Sequence, residues 1–140
     1  MSTILQKFIG AWRLIECSQT NPDGSLLYMW GKDAIGYIVY TAEGVMSVQI
    51  MRGTRAPFHS DNLLDANPEE CATLPQNYNA YFGRFDIDEN QQTVIHHVQG
   101  HLVPNLIGKD NVRRYHFEKN RLRLTTLSGV KRDLLWEKTE

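Results

Sequence analysis

Four residues in separate parts of the chain carry side chains that could transfer protons or bind an anion. They are Glu16, Tyr81, His96 and Arg113. Histidine is the usual acid or base near neutral pH, a carboxylate or phenol can assist it, and a guanidinium can stabilise an oxyanion. If the fold brings them together, these residue types predict proton-transfer chemistry on a small molecule, with His96, Glu16 and Tyr81 catalytic and Arg113 binding the ligand.

Short segments of alternating apolar and polar residues must position these side chains. Period-two alternation bounded by turn residues indicates β-strands. Strands are predicted at 10–19, 26–30, 35–41, 45–51, 81–87, 92–102, 112–118, 121–127 and 130–138. Asn67 and Pro68 begin one short helix that Pro75 ends or kinks, and 52–64 is a long loop. The pattern predicts an all-β fold in one domain spanning 1–140, either a sandwich or an antiparallel up-and-down barrel.

Strand alternation predicts that His96 points into the interior, because it shares a face with two neighbouring valines. A hairpin centred between Glu89 and Asn90 would set His96 opposite Gly83 and leave open space beside the imidazole ring. An imidazole over such a space is a candidate acid or base. The alternative is a core histidine that is bonded to a carbonyl or a tyrosine.

Two late hairpins predict an apolar inner face that ends in two arginines. The predicted cross-strand pairs are Phe117 with Leu122, Tyr115 with Leu124, and Arg113 with Thr126. The last strand adds Leu134 and Trp136 to this face and brings Arg132 near Thr126. A buried guanidinium needs a partner. We therefore expect Arg113 to bind a ligand anion or reach water at the rim, and Tyr115 and Trp136 to contact the ligand.

Two further strand faces supply candidates. Trp12, Leu14 and Glu16 alternate on the first strand, so Glu16 is predicted to face the interior with Trp12. In the hairpin around Gly44 either face could line the interior. If the more polar face lines the interior, it offers three ligand contacts. The alternative is that this face is an ordinary, half-solvated surface of the sheet. These predicted contacts are Tyr37, Ser47 and Gln49.

Composition excludes several function classes. Fifteen Lys and Arg against sixteen Asp and Glu give a net charge of −1, which does not favour nucleic acid. We expect a cytoplasmic protein without a membrane segment, since no apolar stretch of about 20 residues occurs. Cys17 and Cys71 predict no zinc site or disulfide, and the histidines at 96, 97 and 101 point to alternate faces or lie too far apart for a metal. No cofactor motif is present, and exposed edge strands leave a homodimer possible.

The sequence resembles a known family. Gly10 and Trp12, with a late Arg132, resemble the G-x-W and arginine closure of the calycin superfamily. The matching segments, in order, are GAWRLIE, DGSLLY, GYIVYTAEGVMSVQIMR, YFGRFDID, TVIHHV, PNLIGKDNVRRY, RLRLTT and LLWEK, and they resemble the bacterial and fungal lipocalin-like domain family. The resemblance implies a calycin-type barrel with a cavity, closed by Gly10, Trp12 and Arg132. Residues within the family-like stretches are Arg52, His96, His97, Asn105, Gly108 and Arg113.

Two functions follow from these expectations. One is a cofactor-independent isomerase, cyclase or dehydratase acting on an apolar, natural-product-like intermediate. The other is a non-catalytic carrier of a small hydrophobic or amphipathic molecule, held by arginines that bind its carboxylate or phenolate. Arg52 and Arg113 are ligand-binding candidates under both hypotheses. Glu16 departs from the small polar residue that the family resemblance leads us to expect.

Overall fold

The computed structural model describes residues 2–139, which form a closed antiparallel β-barrel. The helices are α1 (Thr3–Phe8) and α2 (Pro68–Asn77), with 3-10 turns at Leu63–Asp65 and Pro104–Leu106. The strands are β1 (Gly10–Thr20), β2 (Leu26–Leu27), β3 (Ile35–Tyr40), β4 (Val45–Met51), β5 (Tyr78–Asp88), β6 (Thr93–His101), β7 (Asp110–Glu118), β8 (Arg121–Thr126) and β9 (Lys131–Lys138). The predicted segment 26–30 is a strand only at Leu26–Leu27, followed by turns.

The topology is that of an up-and-down barrel. From β3 to β9 each strand pairs with the one that follows it in the chain, ending with the pair β8–β9. Strand β1 pairs with both β3 and β9, which closes a barrel of eight strands within residues 2–139. The short β2 pairs only with the end of β1. This architecture confirms the barrel alternative and removes the exposed strand edges that an open sheet would present.

The interior follows the alternation of the strands. In β3 and β4 the buried residues are Ile38, Tyr40, Met46, Val48 and Ile50. The register of the late hairpins is confirmed, since Phe117 lies opposite Leu122, Tyr115 opposite Leu124 and Arg113 opposite Thr126. Leu134 and Trp136 of β9 lie opposite Leu124 and Leu122. The two-residue turn at 119–120 and the apolar alternation of the strands therefore determine the register in this part of the barrel.

The two ends of the barrel are covered differently. At the lower end lie α1 and the tight turns at 41–44, 89–92 and 119–120, while the longer connections at 21–34, 52–77 and 102–109 lie at the upper end. The sequence did not predict α1, a helix of six residues that Ser2 caps through Leu5 N at 3.1 Å. Its Phe8 is fully buried. No helix among residues 2–139 has the length and apolar character that a membrane crossing requires.

Candidate functional site

His96 lies inside the barrel, as its strand position predicts, and is 1% exposed. The Oη atom of Tyr40 is 2.7 Å from its Nε2, and the Oη atom of Tyr81 is 2.8 Å from its Nδ1. A neutral imidazole donates through one nitrogen and accepts at the other, so one tyrosine donates to the ring and the other accepts from it. Of the two interpretations of His96, the structure therefore has the core histidine that is bonded to tyrosine.

The electrostatics of this cluster disfavour acid–base chemistry near pH 7. Burial lowers the pKa of His96 to about 3, and the positive charge of Arg113 acts in the same direction. Burial also raises the pKa of Tyr40 and that of Tyr81. The imidazole is therefore neutral and both phenols are protonated at neutral pH. These three side chains form a hydrogen-bonded network across the interior.

The predicted neighbour of His96 was wrong. His96 lies opposite Phe85, and Gly83 lies opposite Val98, two residues from the expected register. The turn uses the four residues 89–92, with Gln92 at φ 54°, instead of a loop centred between 89 and 90. A bulge after Phe82 shifts the remaining pairs. The rings of Tyr40 and Tyr81 lie beside the imidazole, with centroids 5.6 and 5.8 Å from its own, and His96 also lines an interior cavity.

Glu16 faces outward, so the prediction that it faces the interior with Trp12 was wrong. In the β1–β9 ladder Leu14 pairs with Trp136 and Glu16 with Leu135, so Ile15 is an extra, bulged residue. One extra residue reverses the faces of every later side chain in the strand. Glu16 is exposed as a result, and Cys17 takes the buried position. Burial raises the pKa of Cys17 to about 12, which leaves it an unreactive thiol.

The upper half of the barrel contains an interior cavity of about 70 Å³. Its apolar lining comes from β3, β4, β8 and β9, and Met29 and Trp30 of the 28–34 segment cover it from the upper end. The polar side chains that line it are Asn79, Tyr81, His96, Arg113, Arg132 and Trp136. Among these residues, Tyr81, His96, Trp136 and both arginines were predicted from the sequence, whereas Asn79 and the His96 partner Tyr40 were not. Tyr40 shares the alternating face of Ile38, which was the available signal.

The two arginines end the inner face, as predicted. Arg113 is partly buried and donates to the backbone oxygen of Val112 at 3.1 Å. Arg132 is more exposed, and its Nε donates to Gln19 Oε1 at 3.3 Å. Among residues 2–139 neither guanidinium forms a salt bridge with a carboxylate. The cavity consequently has a positive upper rim.

Trp136 also lines the cavity, and its side chain is fully buried. Within residues 2–139 its Nε1–H has no hydrogen-bond partner. Tyr115, the other predicted ligand contact on this face, lies lower in the barrel and packs against Phe8 at a ring separation of 5.1 Å. Tyr115 is therefore a core residue outside the cavity lining.

The closure of the barrel uses Gly10 and Trp12 as predicted, but with a different cation. Lys138 Nζ lies 4.6 Å from the ring centroid of Trp12 and donates to the Ile9 carbonyl. A Cβ on Gly10, whose φ is +129°, would lie 2.8 Å from Lys138 Cε. Arg132 pairs with Gln19, which lies roughly 20 Å along β1 from Trp12. The expectation that Arg132 closes the barrel with Gly10 and Trp12 was wrong, because the β1–β9 register places Lys138 at Trp12.

Tyr37, Ser47 and Gln49 lie on the outer face of the barrel, so they do not line the interior cavity. Tyr37 is 53% exposed and is paired with Gln49, whose Oε1 accepts from the Tyr78 hydroxyl. These residues line an open surface groove of about 310 Å³. The polar groups at Gln49 and Tyr78 already satisfy each other, which distinguishes this groove from the interior cavity.

Among residues 2–139, Arg52 is outside the cavity lining, and its guanidinium contacts the cover of the cavity through the Met29 backbone. Its guanidinium donates to the carbonyls of Met29 and Gln76, both at 3.3 Å. Since Met29 covers the cavity and Gln76 lies in α2, Arg52 connects the cover to the helix. We therefore interpret Arg52 as a positioning residue, in place of its predicted role in contacting the ligand.

Comparisons with known proteins agree with this architecture. The profile of the lipocalin-like domain family matches residues 9–140. A 4'-hydroxy-3'-methoxypropiophenone carrier protein from Aspergillus oryzae is 32% identical over 106 residues, covering 66% of this chain and 96% of that protein. A redesigned β-barrel of known structure superposes with a TM-score of 0.51 at 14% identity, covering 100% of this chain and 98% of the other, which is a likeness of fold. This chain belongs to the lipocalin-like domain family.

Proposed function

We propose that this protein is a carrier that binds a small amphipathic molecule with an acidic oxygen inside the upper half of the barrel, without altering it chemically. The observation that carries the proposal is the pair Arg113 and Arg132. Both line an otherwise largely apolar cavity, and neither forms a salt bridge with a carboxylate among residues 2–139. A ligand carboxylate or phenolate is the partner that such a site lacks.

The physical basis is the cost of leaving a guanidinium charge near a low-dielectric interior. Arg113 is partly buried, and among residues 2–139 its guanidinium donates to a single backbone carbonyl, that of Val112. An anionic oxygen would form a charge-assisted hydrogen bond with it, which is stronger than a bond between neutral groups. The apolar part of the same ligand would contact Ile38, Val48 and Leu124 in the cavity wall.

Ligand size requires the cover of the cavity to move. Sites for small organic molecules usually have volumes of about 300–1,000 Å³. The cavity of about 70 Å³ is smaller, and Met29 and Trp30 occupy its upper side. Displacement of these two side chains joins the cavity to the outside and lengthens it toward Arg132. The 28–34 segment has no helix or strand, so its movement disrupts no barrel strand.

The relative from Aspergillus oryzae supports the chemical class of the ligand. The compound in its name is a phenol with an aryl ketone, and the hydroxyl lies para to the acyl group. Conjugation with the ketone makes such a phenol more acidic than an ordinary one. A molecule of this kind combines an apolar ring with an oxygen that can become anionic beside Arg113.

The enzymatic alternative, an isomerase, cyclase or dehydratase using His96, has weaker support. Both ring nitrogens of His96 already bond to Tyr40 and Tyr81, and its pKa of about 3 is far from the value near 7 that suits a general acid or base. Glu16, its expected partner, is outside the barrel. Carriage requires no group with a pKa near neutrality, so we favour it over catalysis.

Equilibrium binding of 4'-hydroxy-3'-methoxypropiophenone tests the proposal. We expect saturable quenching of tryptophan fluorescence and affinity that increases as pH rises through the pKa of the phenol. Arg113→Gln should weaken binding about tenfold or more, because a hydrogen bond to a charged group contributes about 1.5–3 kcal/mol. Arg114→Gln, an adjacent change on the outer face, should leave affinity unchanged.

Chromatography of the recovered compound separates carriage from catalysis. After prolonged incubation with the wild-type protein we expect the compound to be recovered intact. Absence of saturable binding, equal losses in Arg113→Gln and Arg114→Gln, or appearance of an isomerised or dehydrated product would each overturn the carrier proposal.

A further inference from the structure

Two buried tryptophans of the barrel differ in whether their indole nitrogen has a partner. Trp12 Nε1 donates to the carbonyl of Phe8 at 2.9 Å. Trp136 is fully buried and lines the cavity, yet within residues 2–139 its Nε1–H has no hydrogen-bond partner. A buried donor without a partner costs free energy and is rare in native proteins. An acceptor atom on a bound ligand would supply the partner that this N–H lacks.

The position of Trp136 defines which part of a ligand could reach it. On β9 it lies four residues below Arg132, roughly 13 Å between their Cα atoms, and on the same inner face. Its cross-strand neighbours are Leu14 of β1 and Leu122 of β8, which are both buried. The cavity thus has cationic donors at its upper rim, and Trp136, whose buried Nε1–H is unpartnered within residues 2–139, lines its deeper part among apolar cross-strand neighbours.

We infer that the bound molecule carries a second, uncharged acceptor oxygen, such as a ketone, which accepts a hydrogen bond from Trp136 Nε1–H at the deep side of the cavity. This inference rests on the proposed carrier function and adds a specificity determinant to it. The acidic oxygen lies at the arginines and the neutral oxygen at the opposite end of the apolar body. A second anionic group is disfavoured there, because the cross-strand neighbours of Trp136 are apolar and a single neutral N–H cannot compensate for burial of a charge.

A pair of probes that differ only at the acceptor tests the inference. They are 4'-hydroxy-3'-methoxypropiophenone and 2-methoxy-4-propylphenol, in which a methylene replaces the ketone. Their phenols differ in acidity, so the quantity compared is the ratio of affinities in wild type and in Trp136→Phe, from which that difference cancels. We expect Trp136→Phe to weaken binding of the ketone about fivefold relative to its effect on the propyl compound.

Indole N–H resonances of the wild-type protein provide a second readout that does not depend on how the variant folds. With tryptophan labelled by nitrogen-15, the ketone should move the Trp136 indole proton downfield, and the propyl compound should not. The Trp12 resonance is an internal control, because its N–H already has a partner in Phe8.

The outcomes separate the inference from the carrier proposal. If both probes bind, the ketone leaves the Trp136 proton in place and Trp136→Phe weakens both equally, the inference is overturned and the carrier proposal stands. If neither probe binds the wild-type protein, the carrier proposal fails and the inference fails with it. A selective loss of ketone affinity with a shifted Trp136 resonance supports both.

Discussion

The lower and upper halves of the barrel are built from the same strands but differ in how completely they are filled. In the lower half the ring of Phe8 contacts Tyr40, Tyr115 and Phe117 edge to face, with centroids 4.9–5.2 Å apart. The indole nitrogen of Trp12 also has its partner there. In the upper half a cavity remains, and Trp136 Nε1 has no partner among residues 2–139.

The difference originates in the segments that cover the two ends. The helix α1 inserts one aromatic side chain into a ring of aromatic neighbours, and this closes the lower end with well-packed contacts. The upper end is covered by Met29 and Trp30 on a segment without regular structure, which Arg52 connects to α2. The tightly packed lower half therefore stabilises the fold, and the proposed binding site lies in the upper half of the same sheet.

Removal of the Phe8 ring, which closes the lower end of the barrel, should give the largest effect on stability. Phe8→Ala deletes a fully buried ring and its three aromatic contacts, and we expect it to lower the free energy of unfolding by about 3–5 kcal/mol in denaturant titrations. Leu64→Ala, at a side chain that is 91% exposed, should change it by less than about 0.5 kcal/mol. At low temperature, where Phe8→Ala remains folded, ligand affinity should stay within about twofold of wild type. Strong loss of affinity in that variant would contradict the separation of the two halves.

A pH titration of stability should give the next largest effect, because His96 belongs to the buried network. Its pKa is lowered from 6.5 to about 3 in the folded state, so between these values the unfolded chain binds a proton that the folded chain does not. The stabilisation is present above pH 6.5 and is lost as pH falls toward 3. We expect the unfolding free energy of wild type to decrease by about 1 kcal/mol more per pH unit in this window than that of His96→Gln.

The adjacent His97 is the matched control for this titration. It lies outside the barrel between Asp86 and Asp110, at 2.8 Å from each, and these carboxylates raise its pKa. Its stabilisation is therefore present at low pH and lost as pH rises through the folded pKa, the opposite sign to that of His96. Solvent screening makes the effect small. Parallel curves for wild type and His96→Gln would show that the imidazole is not held neutral.

Loosening of the Met29 and Trp30 cover should give the smallest effect, which is a change in the rates of ligand association and dissociation. Arg52→Met removes the hydrogen bonds to the Met29 and Gln76 carbonyls, which together contribute about 1 kcal/mol. We expect the association and dissociation rates of ligand, measured by stopped-flow fluorescence, to rise severalfold together while Kd changes little. Arg55 lies in the same connection, but its guanidinium packs on the ring of Tyr78 and not on the cover. Arg55→Met should therefore leave both rates unchanged. A change in Kd alone would instead place Arg52 in direct contact with ligand.

Strand alternation and turn chemistry predicted the parts of the fold in which every residue is paired in regular register. The pairs from Arg113 with Thr126 to Phe117 with Leu122 depend on a two-residue turn and apolar alternation, and both are visible in the sequence. The inward position of His96 follows from the same rule. It holds because no bulge separates His96 from the valines on either side of it.

The remaining site residues could not be predicted, because single inserted residues decide which way they face. The bulge at Ile15 exchanges Glu16 for Cys17 in the interior, and nothing in the local composition signals it. The β1–β9 register likewise places Lys138 at Trp12, although the sequence offers Arg132 as an equally plausible cation. The helix α1 was missed because six residues provide too little periodicity for a helix prediction.

A crystal structure of the protein with bound 4'-hydroxy-3'-methoxypropiophenone would locate the ligand. We expect ligand density in the upper half of the barrel, with the phenolic oxygen at Arg113, the ketone at Trp136 Nε1, and Met29 and Trp30 displaced outward. Density confined to the outer groove beside Tyr37 and Gln49, with the interior cavity and its cover unchanged, would contradict it.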